Sequence, residues 1–296
     1  MSVDLDEIAC YAHIHGVSGI VSHAVYDRAL ERLAAFASDL GVPLTLFVIG
    51  RDLERSENVR ALRNMVGGGH EIGNHSLDHL YDLTRRAPRE QAQQIAGASE
   101  RAQSLLGVRP TGFRAPGYTV TDELLRAVRE AGLTYDSSVF PCPPYYAAKA
   151  ARLLSMSVRG RRSRAILGSP RVLTAPTVPY RISQPYYVAG DGLLELPIQV
   201  AGPLRFPFIG TALTLLGSSA ARLLTRSLLG APFVNLELHG IDFLDRHDVP
   251  SALHALQPDL RVPAARKMET LAAVLGLLRE QGYAMVRLDE AARTFA

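Results

Sequence analysis

The chain has 296 residues, of which 47% are hydrophobic and 21% are charged. This composition is typical of a soluble globular protein, and the length allows a large buried core without disulfide staples. The two cysteines, Cys10 and Cys142, stand in neither a CxxC nor a zinc-ribbon spacing, so we predict two free thiols in a reducing compartment.

The N-terminal segment lacks the features of a secretory signal. Its sequence, MSVDLDEIACYAHIHG, has no basic region followed by an apolar run. The longest uncharged apolar stretch of the C-terminal half, residues 206–221, contains a proline and two glycines and is shorter than the roughly 20 residues of a spanning helix. We therefore expect no transmembrane helix and a cytoplasmic location, with peripheral binding at the inner membrane face left open.

The net charge of +3 conceals an uneven distribution of charge along the chain. Residues 137–236 contain eleven of the 32 basic residues but two of the 29 acidic ones, which gives this segment a net charge of +9 and the remainder −6. A basic segment in an otherwise acidic chain indicates an anionic partner.

Strands and helices alternate in the first half of the chain. The predicted strands cover residues 2–6, 42–50, 70–75, 111–116 and 134–140, and the predicted helices cover residues 22–41, 56–69, 87–107 and 121–133. Ser22 and Thr121 are the expected N-caps, and Gly41 is expected to end the first helix. This alternation indicates βα units around a parallel sheet, and the short connections favour closure into a barrel.

The second half is less regular. Residues 141–190 are rich in Pro, Tyr and Arg and contain no acid, so we predict an irregular basic insertion. After it we expect a strand over 193–200, one or two very apolar helices over 208–230, a strand over 232–240, a helix over 263–283 and a last strand over 284–288. The whole chain, 1–296, is predicted to form one domain.

Polar residues occur repeatedly where predicted strands end. They are Asp4, Asp6, His75, Arg114, Asp136 and His239. The C-terminal ends of barrel strands carry the chemistry in such folds. Each residue alone also has a structural explanation: an acidic strand end, a surface arginine, a turn aspartate or a buried core histidine.

The two aspartates and the two histidines have spacings that suit a metal site. Residues two apart on a strand, such as Asp4 and Asp6, point to the same side. His75 and His79, four apart, can aim their rings at one point from a helical turn or a tight loop. Two imidazoles and one carboxylate form a three-ligand site with open positions, which is the catalytic rather than the structural type.

These motifs together resemble one family, the polysaccharide deacetylases with a NodB-homology domain. The blocks that carry the resemblance are SVDLD, HSLDH, RAPGY, DSSVF and LELH, in this order. The resemblance spans about residues 2–290 and leaves 141–190 unmatched. It implies a deformed (β/α) barrel of NodB-homology type with the basic segment as an insertion.

The resemblance also implies roles for individual residues. Asp6, His75 and His79 would hold a divalent metal, usually zinc. Asp4 would be the general base that activates the attacking water, and Arg114 would hold Asp4 by an ion pair. Because Leu5 separates the two aspartates where the family usually has them adjacent, the roles of Asp4 and Asp6 could be exchanged.

The remaining roles concern the leaving group and the acyl pocket. His239 would be the general acid, tuned by Asp136, and a backbone N–H near Gly117 and Tyr118 would stabilise the oxyanion. The chain has no tryptophan, so the wall for an acyl methyl must come from other residues. The candidates for this wall are Phe140, Leu238 and Tyr118, and His13 and His15 are candidates to face the site.

The function implied by the resemblance is metal-dependent removal of an N-acyl group, acetyl or formyl, from an amino sugar. The alternatives are a non-catalytic metal- or glycan-binding protein and a cyclic amide hydrolase on the same scaffold. The basic segment beside an apolar helix suits an anionic membrane surface or a lipid-linked sugar phosphate. We predict neither a nucleic-acid partner, because no binding motif accompanies the arginines, nor a protein partner.

Overall fold

The computed structural model describes residues 1–295 and is built around one curved β-sheet. Its strands are β1 (Ser2–Asp4), β2 (Thr45–Val48), β3 (Glu71–Asn74), β4 (Gly112–Phe113), β5 (Tyr135–Asp136), β6 (Tyr180–Ile182), β7 (Ala189–Glu195) and β10 (Glu237–His239). The short strands β8 (Val200–Ala201) and β9 (Phe206–Pro207) form a separate antiparallel hairpin.

Helices surround this sheet. They are α1 (Ile8–Ile14), α2 (Leu30–Leu40), α3 (Ser56–Gly67), α4 (Pro88–Leu106), α5 (Asp122–Glu130), α6 (Pro143–Val158), α7 (Gly210–Leu216), α8 (Ser218–Arg226), α9 (Ala264–Glu280) and α10 (Leu288–Phe295). A π-helical turn, Val25–Ala29, leads directly into α2. In the part of the chain that the structure describes, no helix combines the length and the apolar composition needed to cross a bilayer.

The sheet has the order β10-β1-β2-β3-β4-β5-β7-β6 and is parallel apart from its β6 edge. The gap between the end of β7 and the start of β10 is bridged by single hydrogen bonds. The Gln199 N–H donates to the Asn235 carbonyl at 3.2 Å, and the Asn235 side-chain amide donates to the carbonyls of Leu196 and Pro197 at 3.1 and 3.2 Å. The predicted deformed barrel is therefore confirmed.

Strand alternation separates an apolar outer layer from a polar barrel interior. In β1, Val3 belongs to the core between sheet and helices, whereas its neighbours Ser2 and Asp4 are equally buried but hydrogen-bonded inside the barrel. This two-residue period places polar groups in line with the barrel mouth.

The predicted helix ends at Gly41 and Thr121 agree with the structure, whereas Ser22 is not the N-cap of its helix. Gly41 follows α2 with a φ of 58°, a left-handed conformation that glycine adopts without strain. The Thr121 hydroxyl accepts a hydrogen bond from the Leu124 N–H at 3.2 Å and caps α5. Gly217 divides the apolar region 208–230 into α7 and α8.

Two predicted elements are wrong. Residues 284–287 form no strand, because this segment crosses the base of the barrel: the Arg287 guanidinium donates to the Gly69 carbonyl and the Leu288 N–H to the Thr45 hydroxyl. The segment 141–190 is not irregular throughout, because α6 occupies Pro143–Val158. Prolines are tolerated in the first helical turn, where the backbone N–H groups lack helical partners.

Candidate metal centre

Three buried side chains face one another above the C-terminal ends of β1 and β3. Asp6 follows β1, and His75 and His79 follow β3. The Oδ1 atom of Asp6 lies 3.1 Å from Nε2 of His75 and 3.2 Å from Nε2 of His79. The structure thus brings together the residues that the sequence indicated as metal ligands.

The His75 imidazole is oriented by a backbone carbonyl. Its Nδ1 atom lies 2.8 Å from the carbonyl oxygen of Arg114. Because a carbonyl oxygen can only accept, we assign the proton to Nδ1, which leaves the lone pair of Nε2 directed at Asp6. Metal-ligating histidines are commonly held by such an outer partner.

The second histidine is placed by a tight turn rather than by a helix. Ser76 and His79 have positive φ angles of 62° and 51°. The turn is held by the Asn74 side chain, which accepts from the Ser76 N–H at 2.8 Å, and by the Ser76 hydroxyl, which accepts from the His79 N–H at 3.1 Å. Strained backbone of this kind persists where surrounding structure fixes it, often at functional sites.

The cluster has the properties of a cation site. Asp6 Oδ1, His75 Nε2 and His79 Nε2 are buried and, despite their short separations, none makes a hydrogen bond of acceptable geometry. Buried polar atoms without partners are rare in proteins, and these three atoms could all be ligands of one ion. Burial alone would raise the pKa of Asp6, but the two imidazoles outweigh it and hold that pKa well below its ordinary value. A divalent metal therefore fits these donors.

Asp4 lies beside this cluster in an ion pair with Arg114. Arg114 is completely buried, and its Nη1 donates to Asp4 Oδ1 at 2.7 Å. The same guanidinium donates to the hydroxyls of Ser2 and Ser137 at 2.9 and 2.8 Å and stacks 4.2 Å from the Phe47 ring centre. The pairing predicted from the sequence is present, and it fixes the carboxylate with its second oxygen towards the histidines.

His239 also borders the cluster. The strand register places it directly beside Asp4 on the neighbouring strand. Its Nε2 lies 4.0 Å from Asp6 Oδ2 and 3.3 Å from the Tyr118 hydroxyl, and its Nδ1 lies 3.0 Å from Glu237 Oε1. Burial would lower the pKa of His239, but the Glu237 carboxylate outweighs it and raises that pKa well above the ordinary value.

The prediction that Asp136 tunes His239 is wrong, because Glu237 is the carboxylate in contact with its imidazole. Asp136 instead accepts from the Ser138 hydroxyl at 2.7 Å and lies beside Glu195 in the strand register. Burial and the neighbouring Asp136 raise the pKa of Glu195 well above its ordinary value. Glu237 could have been found from the sequence, since it precedes His239 by two residues on one strand.

The loop of the third block supplies a hydroxyl rather than the Tyr118 amide. The Tyr118 N–H donates to the Ala115 carbonyl at 3.0 Å, so it does not point at the cluster. The Gly117 N–H stays a prediction for the oxyanion donor. The Tyr118 side chain, at hydrogen-bond distance from His239, is a donor that the sequence did not single out.

Aromatic rings form the apolar wall beside His239. Tyr118 packs edge-on against Phe140 with ring centres 5.7 Å apart, and Tyr145 packs against both. Two of the predicted wall residues are thus in place. Leu238 is not, because it points outward into the core against the first turn of α7 near Gly210.

A cavity of about 840 Å³ opens beside His79. Of His13 and His15, the two further histidines predicted to face the site, His13 lines this cavity. His15 is buried away from the cluster, with Nε2 2.9 Å from Gln257 Oε1 and Nδ1 2.8 Å from the Arg152 guanidinium. His15 therefore supports the loop after α1 rather than the site.

The walls of this cavity carry charges of both signs. Arg51 pairs with Asp78 and Arg86 with Asp82. Arg85 and Arg164 also line the cavity, and neither lies within ion-pair distance of a carboxylate in residues 1–295. Two arginines are thus available to an anionic ligand.

Comparisons with known proteins agree with this geometry. Residues 23–135 match the family model described as polysaccharide deacetylase. The chain is 36% identical over 93 residues to the chitooligosaccharide deacetylase of Bradyrhizobium sp. (strain ANU 289), covering 31% of this chain and 41% of the relative. It is 28% identical over 155 residues to the peptidoglycan deacetylase of Helicobacter pylori (strain ATCC 700392 / 26695), covering 49% and 50%. The matches thus span half or less of these relatives' own length.

A solved structure extends the likeness to the whole fold. A crystal structure from Mycobacterium smegmatis, assigned provisionally as a polysaccharide deacetylase, superposes on 100% of this chain and 88% of its own with a TM-score of 0.61. The sequence identity is 17%, so this likeness shows the fold alone.

Proposed function

Because the chain belongs to the polysaccharide deacetylase family, we propose that it is a metal-dependent hydrolase that removes an N-acyl group from an amino sugar. The observation that carries the proposal is the buried Asp6–His75–His79 cluster with two different proton-handling groups beside it. Asp4 stands beside the cluster as a carboxylate paired with Arg114, and His239 stands next to Asp4 on the neighbouring strand.

The metal is proposed to be zinc. Two imidazole nitrogens and one carboxylate oxygen form a donor set that zinc accepts in catalytic sites with open positions. A divalent ion held by these side chains would polarise the acyl carbonyl and make water easier to deprotonate.

Asp4 is proposed to accept the proton of the attacking water. Arg114 holds this carboxylate in place, since it donates to Asp4 and to three further oxygens inside the barrel. A base held in this way loses little entropy when it acts. The exchanged assignment, with Asp6 as base and Asp4 as metal ligand, is disfavoured because Asp6 is the carboxylate that lies next to both His75 and His79.

His239 is proposed to donate the proton that the leaving amine needs. The C–N bond breaks, the nitrogen takes the proton from His239 Nε2, and the acyl group leaves as the carboxylic acid. Glu237 favours the protonated imidazole through its 3.0 Å contact with Nδ1. The base and the acid thus have different partners, a guanidinium for Asp4 and a carboxylate for His239.

The substrate is proposed to be an N-acylated amino sugar that carries a phosphate, such as a lipid-linked sugar. Arg85 and Arg164 support this, since they line the cavity beside His79 without a carboxylate partner in the described residues. One guanidinium group can donate two parallel hydrogen bonds to two oxygens of a phosphate, so arginines are suited to binding a phosphate-carrying substrate.

The test measures free acetate and formate released from two substrates side by side. One is a soluble chitooligosaccharide, and the other is an undecaprenyl-phosphate-linked N-acyl sugar in vesicles. Release that disappears in Asp4→Asn, with metal retained, supports the hydrolase and the base. Metal binding without release from either substrate contradicts the proposed enzyme and favours a non-catalytic glycan-binding protein.

A further inference from the structure

Helix α6 crosses the mouth of the barrel and turns its polar side inward. Tyr145, Lys149, Arg152 and Met156 recur at helical spacing along this inner face. Lys149 Nζ donates to the Gly117 carbonyl at 2.9 Å, and the Arg152 guanidinium lies 2.8 Å from the ring of His15. The helix is therefore attached to the loops around the metal centre through its cations.

The outer face of the same helix is apolar and exposed to solvent. It consists of Pro144, Ala147, Ala148, Ala151, Leu154 and Val158, with the half-buried Ser155 among them. Leu154 is 66% exposed and Val158 79% exposed. A surface helix normally buries its apolar stripe and presents charges to water, so the arrangement in α6 is inverted. A contiguous exposed apolar face marks an interaction surface.

Neighbouring groups extend this face and give it one sign of charge. The β8–β9 hairpin packs against α6 and carries Leu204, which is 79% exposed. Directly after α6 come four exposed arginines, at positions 159, 161, 162 and 164, none of them in an ion pair within residues 1–295. Residues 137–190 contain no acidic residue to neutralise them.

We propose that this surface, formed by the outer face of α6, the tip of the β8–β9 hairpin and the arginines of 159–164, docks on an anionic lipid bilayer. The apolar side chains would enter the boundary between headgroups and acyl chains, and the arginines would bind lipid phosphates. Charge complementarity selects this occupant, because in a symmetric pair of chains the same arginines would lie on both sides of the contact and repel.

The inference goes beyond the proposed chemistry, since the apolar residues of the docking surface lie outside the metal centre, and among its arginines Arg164 is the one that also lines the cavity beside His79. It also has a consequence for that chemistry. With α6 on the membrane, the mouth of the barrel faces the bilayer, and a lipid-linked sugar reaches the metal centre without leaving it. A soluble glycan gains nothing from this orientation.

The absence of tryptophan from the sequence allows a clean reporter experiment. We would introduce Leu154→Trp into the docking surface and Leu223→Trp into α8 as a matched control. The two leucines are similarly exposed, Leu154 by 66% and Leu223 by 68%. Each variant would be mixed with vesicles of phosphatidylglycerol and phosphatidylcholine, or of phosphatidylcholine alone. Brominated lipid would serve as quencher, with excitation selective for indole.

We expect a blue shift and quenching for Leu154→Trp on anionic vesicles, and neither for Leu223→Trp. In cosedimentation, the double variant Leu154→Glu/Val158→Glu should partition onto anionic vesicles about tenfold less than the unmodified chain, and Leu223→Glu about equally. Asp4→Asn should bind like the unmodified chain, so loss of catalysis and loss of docking are separate results. Circular dichroism confirms that each variant is folded.

Three results would overturn the proposal. The first is equal binding to phosphatidylcholine and to anionic vesicles. The second is equal quenching at positions 154 and 223. The third is a dimer in analytical ultracentrifugation that Leu154→Glu/Val158→Glu dissociates while vesicle binding is absent, which would make the surface a contact between copies of the chain.

Discussion

Glu237→Gln is the substitution that most directly tests how the centre works. It removes one negative charge from beside His239 and keeps the size and the hydrogen-bonding capacity of the side chain. Glu237 is completely buried, and its Oε1 lies 3.0 Å from Nδ1 of His239. The change therefore acts on the imidazole rather than on the surface of the protein.

The size of the effect follows from this distance. At an effective dielectric constant of about 20, opposite unit charges 3.0 Å apart attract by about 5 kcal/mol. A positioned general acid contributes roughly 10²–10⁴-fold to a rate. The lost attraction is as large as this whole contribution, so Glu237→Gln should approach His239→Ala, with kcat reduced roughly 10²–10⁴-fold at neutral pH.

The pH dependence has a definite sign. Glu237 raises the pKa of His239, so the acid form persists at neutral pH in the unmodified chain. Without that carboxylate the acid form is lost at lower pH. The deficit of the variant should therefore shrink as the pH of the assay is lowered.

The assay compares kcat and KM for acyl release, together with metal content and thermal unfolding. Glu195→Gln is the matched control, because Glu195 is equally buried but lies beside Asp136. Glutamine resembles the protonated acid that burial favours at Glu195, so its activity should stay within a few-fold of the unmodified chain. If Glu237→Gln keeps more than about a tenth of the original kcat, or both variants lose equally, the acid assignment to His239 is refuted.

Three further outcomes are expected. His79→Ala should lose most of its bound metal in elemental analysis, because it removes one of three ligands. Asp248→Asn should lower the free energy of unfolding at pH 7 by about 1 kcal/mol in urea titrations. Burial would raise the pKa of Asp248, but hydrogen bonds from Arg32 outweigh burial and lower that pKa from 3.8 to about 2. The difference in unfolding free energy between the two chains should therefore vanish as the pH falls from about 3.8 to about 2. Burial lowers the pKa of Lys149 from 10.5 to about 8, so the folded state disfavours its charged form. In urea titrations, the free energy of unfolding of the unmodified chain, relative to that of Lys149→Met, should therefore rise as the pH is raised from about 8 to 10.5.

The cluster of Asp6, His75 and His79 could be predicted from sequence because its determinants are local. Asp4 and Asp6 share a side by strand alternation, and His75 and His79 belong to one short turn. Parallel strands then bring these segments to the same end of the barrel without further information. The turn geometry itself was not predictable, since it depends on the positive φ angles that Asn74 and Ser76 stabilise.

The partner of His239 depends on lateral strand order, which local patterns do not show. Asp136 ends β5, and its neighbour in the sheet is β7, so its register partner is Glu195. His239 ends β10 and pairs with Asp4 on β1. The carboxylate that contacts Nδ1 of this imidazole is Glu237, which precedes His239 by two residues on the same strand.

Helix α6 was missed for a related reason. In this helix the apolar stripe faces solvent, and the inward face carries Lys149 and Arg152. Sequence patterns identify surface helices by the opposite arrangement. A segment with inverted amphipathicity therefore resembles a loop until its neighbours are known.

One hydrogen-bond network both closes the barrel and positions Asp4. Asn235 bridges the sheet gap and donates to the Ser137 hydroxyl at 2.9 Å, and that hydroxyl accepts from Arg114 at 2.8 Å. Arg114 in turn holds Asp4, while the Ser2 hydroxyl donates back to Asn235 at 3.1 Å. Because this network is almost completely buried, removing any member leaves polar groups unpaired at a cost of about 1–3 kcal/mol. Asp4 is thus positioned by the same hydrogen bonds that replace the missing strand pairing.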